Sequence, residues 1–332
     1  MNILFTAGGR RVEIIEIFKK ELPQDKILVA DVVNTAPALY AGDAHFIIPK
    51  FQEDHCLEAM LAICQENHVD AVIPLIDPEV RFYAKNINQF LAKKIKVMIS
   101  NPDAINVATN KWYSYQFFKE HDIPTPLTFM DKKDVQSYPV MVKPISGSAS
   151  QSIFVIQDHN GLRDISRFDH GYIFQEFIEG DEITVDVIGD GEGNVVATCQ
   201  RMRLKTRAGE IERGITIYDA GIDKHIKKIV FLLKPWGLIN IQLFKNQLGN
   251  FYFLEMNMRM GGGNPLTYKA GINIPRILKQ LINNEYVHSK TLYGAADLCM
   301  LRFDGAFYFT KEELFYDQSR RNHEENLFLK RG

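Results

Sequence analysis

The chain has 332 residues, of which 46% are hydrophobic and 24% charged, and its formal net charge is -2. That length supports two or three subdomains with their own cores, and the near-neutral charge excludes a general attraction to nucleic acid or acidic membranes. The apolar runs fall far short of the roughly 20 residues of a membrane-spanning helix. Cys56, Cys64, Cys199 and Cys299 are scattered without a CxxC pair, and a zinc site of His55, Cys56, Cys64 and His68 fails on spacing, so free thiols are expected. The start, MNILFTAGGRR, lacks the charged and apolar regions of a signal peptide, and a cytoplasmic location is the expectation.

In chain order, NILFT reads as a buried strand, AGG as a tight turn, and RRVEIIEIFKKEL as an amphipathic helix with Ile14, Ile15, Phe18 and Leu22 on one stripe. The strands KILVAD, DAHFIIPK, VDAVIPLID and IKVMIS follow, with the helix CLEAMLAICQENH among them. Strands alternating with helices predict a doubly wound parallel sheet over residues 1–101. Asn101-Pro102-Asp103 is a turn and helix-start signal, and KWYSYQFFKEHDI is a helix. The pattern then changes to antiparallel-rich α+β, with strands in YPVMVKP, SIFVIQ, GYIFQEFI, EITVDVIGD and NVVATCQRMR. LINIQLFKNQ and NFYFLEMNMRM pair around the turn LGN, and a helix-rich tail follows.

The last of these strands carries Glu255, Asn257 and Arg259 at alternate positions, with Met256, Met258 and Met260 between them. Alternate side chains share a face, so one face is polar and the other belongs to the core. Gln242 on the partner strand can face Glu255 and Asn257, since opposed side chains are about 5 Å apart. One carboxylate and two amide oxygens suit Mg²⁺, and Arg259 suits a phosphoryl oxygen. A solvated strand face of mixed polar residues is the plainer account. Upstream, Lys143 ends an apolar strand and is followed by small residues, Ser146 to Ser150, which let backbone N–H groups approach phosphates; a hairpin turn is the plainer account of them alone. In IFQEFIEGDEITVDV, a strand ends near Gly180 and Glu182 follows, a carboxylate able to accept both hydroxyls of a ribose.

TAGGRR lacks the GxGxxG of a dinucleotide site, but Arg10 and Arg11 could bind an anionic substrate group. Asp77 and Glu79 lie at the C-terminal end of a strand, where doubly wound sheets place ligands, and suit an acceptor amine; Asp77 equally suits helix N-capping. Arg201, Arg203, Lys205 and Arg207 alternate, either as an anion site lining a cleft or as an edge strand guarded by charge.

Taken in order, these parts resemble the ATP-grasp superfamily, and more closely the synthetase halves of the carbamoyl phosphate synthetase large subunit. EMNMR resembles that family's Glu-Met-Asn-Pro-Arg, and NPLTYKAG its Ala-Leu-Ala-Ser-Lys-Ala-Thr-Gly run. The resemblance implies a pre-ATP-grasp domain at 1–101 and a two-lobed ATP-grasp domain at 102–332, with a lid at about 123–178. It implies ATP and Mg²⁺, with Mn²⁺ as a substitute. By position, Lys111 and Lys143 contact the ATP phosphates, and Gly147 and Ser148 belong to the loop over them. Glu176, Phe177 and Ile178 form the adenine hinge, and Glu182 binds ribose. Gln242, Glu255 and Asn257 hold metal, and Arg259, with Lys143, serves the transferred phosphoryl group.

The implied activity is a carboxylate–amine ligase acting through an acyl phosphate on small molecules of amino-acid size, with a homodimer left open. A bicarbonate-phosphorylating enzyme and a non-catalytic ATP-binding module are the alternatives. Where the synthetase halves carry Ser-Arg-Ser-Ser, this chain has Gly261-Gly262-Gly263-Asn264. Glycines there leave volume and backbone N–H groups for a larger carboxylate, with Gly262 and Asn264 as lining residues and cations drawn from Arg203, Lys205 or Arg207. The expectation is that bicarbonate does not stimulate ATP cleavage.

Overall fold

The computed structural model describes residues 1–147, 152–163, 170–285, 290–311 and 313–314. Residues Met1–Arg302 form one compact unit and Phe303–Gly332 a second.

The first unit opens with a parallel five-stranded sheet of order β3-β2-β1-β4-β5, built from β1 (Asn2–Thr6), β2 (Lys26–Asp31), β3 (Ala44–Ile47), β4 (Ala71–Pro74) and β5 (Lys96–Val97). Helices α1 (Val12–Glu21), α2 (Cys56–Glu66) and α3 (Asp77–Ala92) connect its strands. Alternation along β1 divides its side chains between two cores: Leu4 joins Met60 of α2 and Tyr83 of α3, while Ile3 and Phe5 join Ile14, Ile15 and Phe18 of α1. Asp31, at the end of β2, is where a dinucleotide-binding sheet would hold a ribose. Here its two oxygens accept from the backbone N–H groups of Gly9 (2.9 Å) and Val33 (3.0 Å), so the acid fixes its own turns.

Helices α4 (Pro102–Thr109) and α5 (Lys111–Glu120) follow. Asn101 and Asn110 cap them, their side-chain oxygens accepting from Ala104 N and from Trp112 and Tyr113 N. Next comes a four-stranded antiparallel sheet of order β6-β9-β7-β8: β6 (Thr128–Phe129), β7 (Val140–Pro144), β8 (Phe154–Ile156) and β9 (Tyr172–Glu176), with the short helix α6 (His159–Arg163) after β8.

The third sheet has seven strands. Its main order is β14-β13-β10-β11-β12-β16, with β15 paired to β11. The strands are β10 (Asp181–Asp190), β11 (Val195–Arg207), β12 (Glu210–Ile217), β13 (Trp236–Lys245), β14 (Phe251–Asn257), β15 (Leu292–Tyr293) and β16 (Cys299–Leu301); helices α7 (Ala220–Leu233), α8 (Asn264–Lys269) and α9 (Ile274–Ile282) complete the unit. Its core is continuous with that of the first sheet. Ile183, Val185, Val187 and the α7 stripe share a cluster with Leu4 and Leu28, and Val196 and Leu238 share the other with Ile3 and Phe5. The first and third sheets are therefore packed as one body, which fixes the distance between β4 and β14.

Two sequence expectations change. β11 runs between β10 and β12, so the basic segment is not an edge strand. A register shift at Leu204, where Arg203 faces Gly214 and Lys205 faces Arg213, breaks its alternation. The helix-rich tail carries α8 and α9 as expected, and adds the short strands β15 and β16 after them. In the second unit, Thr310 and Glu313 form a reciprocal cap: Thr310 N donates to Glu313 Oε2 (2.8 Å) and Glu313 N to Thr310 Oγ1 (3.1 Å).

Candidate active site

β13 and β14 pair in register as Gln242 with Glu255 and Asn240 with Asn257. A bulge leaves Leu254 without an opposite number, since Leu243 faces Phe253. Met256, Met258 and Met260 are buried, as the alternation predicts, the first two in one core cluster and Met260 in the other. Glu255 stays partly exposed beside Lys111, whose Nζ lies 4.0 Å from Glu255 Oε2. Among the described residues no three His, Cys, Asp or Glu side chains cluster as a closed metal cage. The donor set is instead one carboxylate with amide oxygens on an open cleft, which fits a hard divalent cation that also draws ligands from water and phosphate.

Lys143 stands on β7, opposite Ile173 of β9, and is 5% exposed. Burial lowers its ammonium to about 8; the carboxylates of Glu255 and Glu182 work against this and the charge of Lys111 adds to it. Lys143 thus lies within reach of the charges of Glu255, Lys111 and Glu182. Lys111 begins α5, and its Nζ donates to the Gly147 carbonyl at 2.8 Å. Gly147 has φ +125°, a conformation that favours glycine, and a Cβ there would meet only open space. Ser148 lies outside the described residues. Lys111, Gly147, Glu255, Asn257, Asp77 and Arg81 line a common cavity of about 240 Å³.

At the end of β9, Glu176 is bound to the segment before β6: its N–H donates to Leu127 O (2.8 Å) and its Oε2 accepts from Leu127 N (3.1 Å). Phe177 and Ile178 form the extended link to β10, Phe177 exposed and Ile178 half-buried. Glu182 is held by Arg203, which also donates to Gly209 O at 2.8 Å. Arg203 is therefore a support for Glu182, and Lys205 and Arg207 pair with Glu212 at 3.1 and 3.5 Å.

Arg259 reaches back to the first sheet. Its Nη2 donates to Asp77 Oδ2 at 2.8 Å, and Asn257 Oδ1 lies at 3.5 Å. Asp77 is the first residue of α3 and makes no capping bond, so its N-cap reading gives way to this ion pair. Glu79 does not join it. It is fully buried under β1, accepting from the Thr6 hydroxyl, and burial raises its carboxyl to about 8. Arg10 is exposed, while Arg11 bonds Glu210 at 2.7 Å.

The volume expected over the glycine run is filled. Ideal Cβ positions at Gly261, Gly262 and Gly263 lie 2.9 Å from Asn240 Nδ2, 2.6 Å from the Glu210 carboxylate and 2.8 Å from the Arg201 guanidinium. Asn264 is buried and donates to Asp186 Oδ2 (2.7 Å), which also accepts from Thr267 (2.6 Å) and Arg201. Gly262 O accepts from Arg302 at 2.6 Å. The glycines are thus not room for substrate; they let the turn settle on a bed of polar side chains. Asn240, Glu210, Asp186 and Arg302 were not singled out from the sequence. For Asn240 a signal existed, since it stands two residues before Gln242 on the same strand face.

Residues 3–98 match the PylC-like N-terminal domain family and residues 108–263 the ATP-grasp domain family. The chain is 30% identical over 305 residues to a carbamoyl-phosphate synthase of Methanobrevibacter smithii, covering 82% of this chain and 78% of that protein. The chain belongs to the ATP-grasp superfamily. It is 24% identical over 241 residues to the 3-methyl-D-ornithine–L-lysine ligase of Methanosarcina mazei, covering 71% of this chain and 60% of that protein. Its fold matches the biotin carboxylase domain of Hydrogenobacter thermophilus 2-oxoglutarate carboxylase, solved as a dimer with MgADP, ADP and bicarbonate, with a TM-score of 0.70 and 18% identity over 87% of this chain and 71% of that one. As an ATP-grasp protein with such relatives, the chain is an ATP-dependent ligase. No helix among the described residues is long and apolar enough to cross a membrane.

Proposed function

We propose that this ligase uses Mg-ATP to phosphorylate the carboxylate of a small, amino-acid-like molecule and passes the acyl group to an amine of similar size. The observation that supports this best is the convergence of Lys111, Lys143, Glu255 and Asn257, with Arg259 beside Asn257, on one cleft. A substrate carboxylate oxygen attacks the γ-phosphorus and ADP leaves. The amine nitrogen then attacks the acyl carbon, phosphate leaves, and the nitrogen loses a proton. Lys143 and Lys111 neutralise the phosphates from two walls of the cleft. Gly147, and Ser148 next to it in the sequence, serve the same phosphates. Glu176 to Ile178 offer backbone groups to adenine, and Glu182, steadied by Arg203, accepts from the ribose. Gln242, Glu255 and Asn257 are the residues to hold Mg²⁺, or Mn²⁺ in its place; bound there, the cation neutralises charge developing on the transferred phosphoryl group. Arg259 donates to the same group, with Asp77 holding its guanidinium. The chain's work is positioning, charge neutralisation and exclusion of water. A cytoplasmic location and a homodimer complete the proposal, the latter read by light scattering.

ADP release by the pure protein, measured over a panel of amino acids and dipeptides with hydroxylamine as trap, tests this reading. A carboxylate that stimulates ADP release and yields its hydroxamate supports it. Stimulation by bicarbonate alone, with carbamoyl phosphate formed on adding ammonia, replaces it; ADP release indifferent to every carboxylate and amine favours a nucleotide-binding module.

A further inference from the structure

Asn240 is 3% exposed, opposite Asn257 on the β13–β14 ladder. Its Nδ2 donates to the backbone carbonyl of Arg259 at 3.3 Å, and its Oδ1 accepts from Asn257 Nδ2 at 3.0 Å. This chain of bonds has a fixed direction. A carbonyl oxygen only accepts, so the Asn240 nitrogen must face Arg259. The Asn240 oxygen then faces Asn257, and the Asn257 nitrogen must turn to it. What remains of Asn257 is its oxygen, on the side of Arg259 and the cavity. The logic holds whichever way either amide is first drawn, because the backbone carbonyl decides it. Gly261 belongs to the same device, since a Cβ there would lie 2.9 Å from Asn240 Nδ2.

We propose that Asn240 is a positioning residue that locks the Asn257 amide with its oxygen towards the cleft, so that the site offers a cation an oxygen and never an N–H. The inference rests on the reading of Asn257 as a cation ligand. Without the lock, the 257 amide samples both orientations, and one of them presents a donor to a cation. An aspartate at 257 needs no lock, because either side of a carboxylate presents oxygen.

The test is Mn²⁺ binding to the full chain with a non-hydrolysable ATP analogue, followed by the loss of the free Mn²⁺ paramagnetic resonance signal. Asn240→Leu is expected to weaken Mn²⁺ about tenfold, the lower end of what orienting partners contribute to metal affinity. Asn257→Ala should weaken it at least as much. The double variant Asn240→Leu/Asn257→Asp should bind Mn²⁺ no worse than Asn257→Asp alone. Thermal unfolding without metal reports folding, and Asn240→Thr stands in if the leucine variant does not fold. Losses that multiply in the double variant, or an Asn240 variant that binds normally while Asn257→Ala does not, overturn the lock and leave the ligand assignment intact. Normal binding by both Asn240→Leu and Asn257→Ala removes the ligand assignment and the lock with it.

Discussion

Arg259 and Asp77 are 182 residues apart in the chain, and their side chains meet at 2.8 Å. The pair ties the strand proposed to hold metal to the start of α3 in the first sheet. If Asp77 positions Arg259, Asp77→Asn lowers kcat for ADP release about tenfold, on the scale of losing an orienting partner, with little change in the KM for the amine. If Asp77 binds the acceptor amine, the same variant raises the amine KM instead. Both side chains are partly exposed, so thermal stability should barely move.

Glu255→Ala removes the carboxylate of the proposed cation site. Turnover should fall at least about a hundredfold, as for other major charge-stabilising groups, while the fold persists because the residue faces a cleft. Steady-state ADP release and circular dichroism measure the two. Full activity would remove Glu255 from the site.

Lys143 should make nucleotide binding pH-dependent. With its ammonium lowered to about 8 by burial, the free protein loses this charge as pH rises past that value. Phosphates favour the charged form, so binding takes up a proton and affinity falls as pH rises from about 8. Calorimetric titration with an ATP analogue between pH 7 and 9.5 should show the fall. Lys143→Arg, which stays charged, should flatten it. A parent profile without slope would mean that Lys143 does not contact the phosphates.

Glu79 supplies a stability test with the same sense, a loss as pH rises. Its carboxyl is raised from its ordinary value to about 8, so the folded state holds a proton that the unfolded chain releases above about 4.5. Stability from this group is full below the unfolded value and is lost as pH rises to about 8. Glu79→Gln keeps an acceptor for the Thr6 hydroxyl and cannot ionise. It should melt higher than the parent protein at pH 8.5 and match it near pH 4.5.

Gly263→Ala should destabilise the protein by about 1–3 kcal/mol, as overpacking does. The backbone there, φ -86°, accepts alanine, but the Cβ would press at 2.8 Å on the buried Arg201 guanidinium that serves Asp186. Denaturant unfolding measures the loss.

The parallel sheet, the change to antiparallel strands, and the hairpin bearing Gln242 and Glu255 were legible because each rests on local periodicity. The Asp77–Arg259 pair was not, since neither residue's neighbours along the chain point to the other. Glu79 misled because it follows Asp77 by two, and the helix turns the second acid under β1. The glycine run misled because absence of a side chain was taken for open space, while Asn240, Glu210 and Arg201 arrive from three other strands. The basic segment kept its charges but not its alternation, which the shift at Leu204 breaks.

Leu254 has one further consequence, for comparing chains. Gln242 faces Glu255 and Leu243 faces Phe253, so its removal would leave every neighbouring pair of the hairpin in place. A relative lacking one residue here would keep its glutamate and asparagine opposite the same partners. A single gap at this point in an alignment is therefore neutral. One anywhere between Glu255 and Arg259 would put a methionine where a ligand stands and a polar side chain into the core.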